Sequence, residues 1–180
     1  LTRQEFFDIV AGEEQDDETK RNTVKVAVYQ LRKLLGKESI IQGKQAPRLN
    51  LNYCTVDYLD VWKSLLKAEK ALANNKLNTA RNSLLYVLRT LNGNVLFPTL
   101  YETIFETARE EFETRLRKLI LRVCRSIMQA GDSSSCEVIL HLADNHLSGD
   151  QEINDLLIDV LHDQHKFTEA FRVKFAATAA

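Results

Sequence analysis

Residues 18–36 read ETKRNTVKVAVYQLRKLLG, and the spacing inside this stretch governs the reading of everything around it. Val24, Ala27, Val28, Leu31, Leu34 and Leu35 recur at intervals of three and four, which predicts a helix with one apolar face. Asn22, Lys25, Tyr29 and Arg32 line the opposite stripe. Gly36 stands just past the last periodic residue, and Arg32 and Lys33 occupy the last turn, where cations suit the negative end of the helix dipole. Asp16, Asp17 and Glu18 sit at the other, positive end. A helix from about Glu18 to Leu35 follows, packed on one side and open on the other.

Working outward, LTRQEFFDIVA (1–11) reads as a short helix. Thr2 is the cap, Glu5 its capping-box partner, and Phe6, Ile9 and Val10 share a face. Gly12 ends it, and the acidic connector EEQDDET (13–19) leads into the basic helix. On the other side, Ile40-Ile41, a Gly43-Lys44 turn and Arg48-Leu49-Asn50-Leu51 predict a small hairpin, the one convincing β signal in the chain.

From Val56 onward the pattern is helical in pairs: Val56 to Asn74, Leu77 to Leu91, a long helix from about Tyr101 to Ala130, then Ser135 to Leu147, Ile153 to His162, and Phe167 to the C-terminus. Short polar joints predict an antiparallel helical array. Ala80, Ala143 and Ala170 recur in the second helix of each hairpin, near the roughly 34-residue tetratricopeptide period. The fold class expected is therefore mainly α, with one hairpin near the N-terminal end. Two domains are expected, 1–54 and 55–180.

Charge is segregated along the 180 residues. The net value is −1, but residues 1–19 carry −6, residues 20–48 carry +7 and the remainder −2. A single basic block on an otherwise acidic chain is what phosphate-backbone binding requires, although a charge run alone also fits a merely solvated face. Cys54, Cys124 and Cys136 form no close-spaced pair, so neither a disulfide framework nor a zinc knuckle is suggested and a reducing cytoplasm fits. No run approaches the roughly 20 apolar residues of a membrane helix. His162 and His165 flank a turn with no third ligand nearby in sequence, and Cys124 and Cys136 read as small core residues. Glu110, Glu111 and Glu113 among Arg109, Arg115, Arg117 and Lys118 fit intrahelical ion pairs. Trp62, Phe97, Tyr101, Phe105 and Phe112 read as helical core. No phosphate loop or nucleophile signature is present, so no catalytic role and no cofactor is expected.

These strings together resemble a response-regulator-type winged helix joined to a bacterial transcriptional activator domain, as in SARP-like antibiotic regulatory proteins. LTRQEFFDIVA is similar to the helix before that family's recognition helix, RNTVKVAVYQLRKLLG to the recognition helix itself, and RLNL to the close of the wing. Downstream, VDYLDVW, LFPTLYETIFETAREEFETRLRKL with its internal Arg109, and FTEAFRV are similar to successive parts of the activator domain. The resemblance implies a partial winged helix-turn-helix followed by a tetratricopeptide-like array, acting as a DNA-binding transcription regulator of activator type, cytoplasmic and bacterial.

Residue by residue, it implies base or groove-floor contacts from Asn22, Lys25, Val26, Tyr29 and Gln30, backbone contacts from Arg21, Arg32 and Lys33, and wing contacts from Lys44 and Arg48. Arg32 and Lys33 also fit a purely dipole-compensating role, and Tyr29 fits a half-buried helix position. The implied partners are double-stranded DNA and, through the helical domain, a second copy or the transcription machinery. Two departures stand out. The family's domain opens with several strands and a first helix, so Leu1 falls inside it, a piece of a longer protein is expected, and the Val24, Val28 and Leu31 face is expected to lack part of its packing. The wing has Ala46-Pro47 where the family has Gly-Tyr, and proline cannot donate a ladder hydrogen bond, so the second strand is expected to begin at Arg48. The competing reading is a helical-repeat scaffold with a vestigial winged helix.

Overall fold

A computed structural model describes residues 2–42, 46–97, 99, 101 and 103–178, with side chains at 104 and 176–178 outside that description. Eight α-helices and one two-stranded antiparallel sheet make up the described residues. They fall into two units, Leu1–Asp57 and Tyr58–Ala180, dividing where a helix begins and three residues beyond the expected boundary.

In the first unit, α1 (Arg3–Ala11) starts with the expected capping box: the Thr2 hydroxyl accepts from the Glu5 N–H, and the Glu5 carboxylate accepts from the Thr2 N–H. α2 (Asp17–Leu35) begins where Asp16 accepts from the N–H groups of Glu18 and Thr19 at 3.0 and 2.9 Å. The Thr19 hydroxyl adds a further bond, and together these hold the Asp16 carboxyl below its ordinary range. α2 ends at Gly36, whose φ of 99° and ψ of 154° suit glycine alone. A 3-10 turn (Lys37–Ser39) leads into β1 (Ile40–Ile41), which pairs with β2 (Arg48–Leu49) through Ile40 opposite Leu49 and Ile41 opposite Arg48. The second strand does begin at Arg48, immediately after Pro47, and is shorter than the expected Arg48–Leu51. The Gly43-Lys44 turn lies outside the described residues.

The core of this unit is small: Phe7, Val24, Val28 and Ile40, with Phe6 packed against them. Each such side chain contributes about 1.5–3 kcal/mol when fully buried, which is modest for this length of chain. Two expectations fail here. The α1 residue driven inward is Phe7, while Ile9 and Val10 are exposed. On α2 the buried cluster stops at Val28, and Leu31, Leu34 and Leu35 are 42%, 80% and 46% exposed, so of the face expected to lack packing Val24 and Val28 are buried and Leu31 alone is open. Length contributes, because nine residues of α1 span only about 13 Å, and the last turns of α2 meet the 3-10 turn and β1 on the side of Arg32, which leaves Leu31, Leu34 and Leu35 exposed.

The second unit consists of α3 (Asp57–Ala73), α4 (Leu77–Leu91), α5 (Thr103–Gln129), α6 (Ser133–Asp144), α7 (Gln151–Asp163) and α8 (Phe167–Thr178). Asp132 and Asp150 cap α6 and α7 through Ser135 N–H and Ile153 N–H, while Asn75 and Asn92 take the left-handed conformation that ends α3 and α4. From α4 on, each helix packs against its successor, and α4 touches α6 as α5 touches α7. Ala80, Ala143 and Ala170 are fully buried at these crossings. One continuous core joins all six helices.

Aromatic stacking runs from Phe97 through Tyr58 and Trp62 to Phe112, with ring centroids 4.8, 5.9 and 5.6 Å apart. Tyr101 departs from expectation, being 74% exposed before the start of α5. The arginines of α5 depart as well. Arg109 donates to the carbonyls of Leu96 and Phe97, pinning a turn in which Phe97 has a φ of 52°. Arg115 forks onto Glu69 of α3 while keeping Glu111 within its own helix, and Arg117 reaches Asp150 and Glu152. The Arg115–Glu111 pair is one that sequence spacing pointed to, whereas Arg109, Arg117 and the Glu69 contact of Arg115 tie α5 to other segments of the unit.

Candidate nucleic-acid interface

Two polar devices set the position of α2, and a third closes the hairpin beyond it. Lys20, only 6% exposed, donates from Nζ to Asp8 of α1 at 2.5 Å and to the Glu13 carbonyl at 2.9 Å. Near the other end, the Arg32 guanidinium donates to the Ile40 carbonyl at 2.8 Å and to Gln42 Oε1 at 3.2 Å, while its Nε is buried with no partner among the described residues. Beyond that end, the Asn50 side-chain amide donates to the Glu38 carbonyl and the Asn50 N–H to the Ser39 carbonyl, closing the hairpin base. Each device joins a charged or amide group to a backbone carbonyl or an opposite charge, which suits a unit with little apolar core.

What remains on α2 is an open polar face. Arg21, Asn22, Lys25, Gln30 and Lys33 are exposed, and Val26 and Tyr29 are 59% and 65% exposed. At 3.6 residues per turn, Asn22, Lys25, Val26, Tyr29 and Lys33 lie within an arc of about 100°. Arg21, Lys25 and Lys33 have no ion-pair partner among the described residues. By contrast, Arg81, Arg115, Arg117 and Lys166 in the second unit each meet a carboxylate.

The residues singled out from sequence therefore separate into groups. Asn22, Lys25, Val26, Tyr29 and Lys33 share one exposed arc, Arg21 and Gln30 are exposed on either side of it, and Tyr29 is not half-buried. Arg32 is turned inward onto the hairpin and engaged there. Arg48 is exposed on β2, opposite Ile41, and Lys44 lies outside the described residues.

Sequence reasoning missed three residues. Lys20 was counted with the basic block but is consumed by Asp8. Arg3 and Gln42, from α1 and the end of β1, border a cleft of about 320 Å³ together with Arg21 and Lys25. Nothing in local spacing marks Arg3 or Gln42, because both come to the cleft through tertiary packing.

Among the described residues no helix is long and apolar enough to cross a membrane. Comparison with protein families and with curated proteins finds no match to this chain.

Proposed function

We propose that the chain belongs to a DNA-binding transcription regulator in which α2 enters the major groove and the helical unit mediates self-association or contact with the transcription machinery. The observation that carries this reading is the exposed stripe from Arg21 to Lys33, with unneutralised cations interleaved with an amide and a phenol. It extends about 18 Å along the helix, and a groove about 12 Å wide accepts an α-helix. On this reading Asn22, Val26, Tyr29 and Gln30 meet base edges, while Arg21, Lys25 and Lys33 meet phosphates. Arg48 and Lys44 of the hairpin serve as the wing. Arg32 is given a different part, holding the helix to the hairpin.

The first unit then corresponds to part of a winged helix-turn-helix. The second corresponds to a tetratricopeptide-like array, supported by its next-but-one helix contacts and its three buried alanines. Cytoplasmic location goes with this reading.

Selection of genomic DNA fragments on the full-length protein, followed by titration of the enriched duplex at several salt concentrations, tests it. A shared sequence motif and an affinity that falls steeply with salt are expected. Absence of saturable duplex binding overturns it.

A scaffold reading is favoured by one observation on the other unit: Phe167, Phe171 and Phe175 of α8 are each more than half exposed, and the last two stack at 4.3 Å. An aromatic ridge of this kind suits protein contact. A protein that self-associates or binds a protein ligand through α8 but selects no DNA would establish that alternative.

A further inference from the structure

We infer that the cleft between α1, α2 and the hairpin is a seat for one phosphoryl group. Its rim brings together Arg3 from α1, Arg21 and Lys25 from α2, and the Gln42 amide from the end of β1, over a floor that includes Phe7 and Val24. The three cations have no carboxylate partner among the described residues, although the chain as a whole carries one more acid than base. Arg3 is oriented by its own helix, its guanidinium lying 5.2 Å from the centroid of the Phe7 ring. Asp8, a carboxylate of α1, is occupied by Lys20, and Glu5 is occupied by the Thr2 N–H, so neither is spent on the rim.

The chemistry follows from the donors. A carboxylate offers one charge and two oxygens, which a single arginine fork satisfies. Two guanidinium groups, an ammonium and an amide offer far more donors, arranged from three directions, and match a tetrahedral anion with several acceptor oxygens. The apolar floor removes water from one side of that anion and strengthens each contact. Two sources supply such a group: a phosphate of a DNA backbone, in which case the seat deepens the reading given above and rests on it, or a free phosphorylated small molecule, in which case it does not.

Two measurements separate these sources. In the first, inorganic phosphate is titrated into the full chain at constant ionic strength while backbone amide resonances are followed. Saturable shifts confined to residues around Arg3, Lys25 and Gln42, abolished in Arg3→Gln and retained in Arg3→Lys, assign the seat to free phosphate. In the second, duplex binding is measured against salt. If Arg3→Gln lowers the slope of log affinity on log salt by about 0.9 and Arg3→Lys does not, with sequence preference unchanged in both, the seat holds a backbone phosphate. Lys33→Gln, on the same face but away from the cleft, is the control. A slope lowered by Lys33→Gln but not by Arg3→Gln, with no response to phosphate, overturns the seat and leaves DNA binding standing. Phosphate shifts without any duplex binding support the seat and overturn the regulator reading.

Discussion

Lys20 Nζ lies 2.5 Å from Asp8 Oδ1, and this ion pair ties the short helix α1 to the first turns of α2. The lysine side chain is 7% exposed and the aspartate 26%, so the pair is shielded on the lysine side and open to some water on the other. The same ammonium also satisfies the Glu13 carbonyl in the connector. One residue thus fixes two helices and the segment between them.

Removing the lysine while keeping its partner should be costly. Lys20→Met leaves Asp8 facing an apolar side chain and is expected to destabilise the first unit by about 3 kcal/mol, the low end for a broken buried pair because Asp8 retains some hydration. Lys20→Met combined with Asp8→Leu should recover most of that loss. Hydrogen-exchange protection of α2 amides, compared across the two single variants and the double variant, measures the coupling.

Gly36 is required first by its backbone conformation, since the atoms that would crowd a methyl there belong to the tip of the exposed Tyr53 side chain. Its φ of 99° disfavours any side chain, and a methyl there would meet the Tyr53 hydroxyl at 2.7 Å. Gly36→Ala should lower stability by about 2 kcal/mol or more. Adding Tyr53→Leu should relieve only the steric part, so urea unfolding of the double variant should remain below that of Tyr53→Leu alone.

Arg32 and Lys33 are adjacent cations with different expected effects. Arg32→Ala loses a charged hydrogen bond to the Ile40 carbonyl and should cost about 1.5–3 kcal/mol of stability, with no change in the salt slope of duplex binding under conditions where the variant is folded. Lys33→Ala should leave stability within about 0.5 kcal/mol and lower the slope by about 0.9. Reversal of these two results would place Arg32, and not Lys33, on the nucleic acid.

Acid should weaken the second unit in two steps. His146 is half-buried, with both ring nitrogens lacking a hydrogen-bond partner among the described residues. Burial pushes its pKa below the ordinary 6.5, with the nearby Asn94 backbone opposing the shift. The unfolded chain therefore binds a proton more readily than the folded one. Stability is complete above about pH 6.5 and declines as pH falls through that value towards the lower folded pKa. Glu137, held down by the Lys166 ammonium, contributes stability that is lost only below its ordinary 4.5. Thermal unfolding between pH 7.5 and 5 should show the first step, and His146→Leu should remove it while leaving the step at lower pH.

Most helix limits were legible because they are written in local chemistry. Asp16, Gly36 and the Asn74-Asn75-Lys76 joint act through neighbouring backbone groups, and the helices they bound fall within one or two residues of expectation. What was not legible depends on contacts distant in sequence. Spacing on α1 does not distinguish Phe6 from Phe7 as the inward residue, since that depends on where Val24 and Val28 lie. Nor does composition reveal that Lys20 is paired or that Arg32 is turned onto the hairpin. The basic block is real, but the part of it left open to a ligand emerges only after those tertiary pairings are subtracted, and the same subtraction brings in Arg3 from a segment whose net charge is strongly negative.

The burial of Cys124 and Cys136 has a practical side. Both are fully enclosed between α5 and α6, where Cys136 Sγ points at the Cys124 carbonyl from 3.7 Å and burial adds to the mutual effect that pushes the Cys124 thiol far up. The Cys124 thiol resists forming the thiolate that attacks an electrophilic dye, and burial shields Cys136 from the dye altogether. Cys54 is only half-buried and lies three residues before the division between the two units. Under native conditions a maleimide fluorophore should therefore attach at that one position in the unaltered chain. It would provide a reporter beside the junction for following, by anisotropy, whether the two units tumble together or apart.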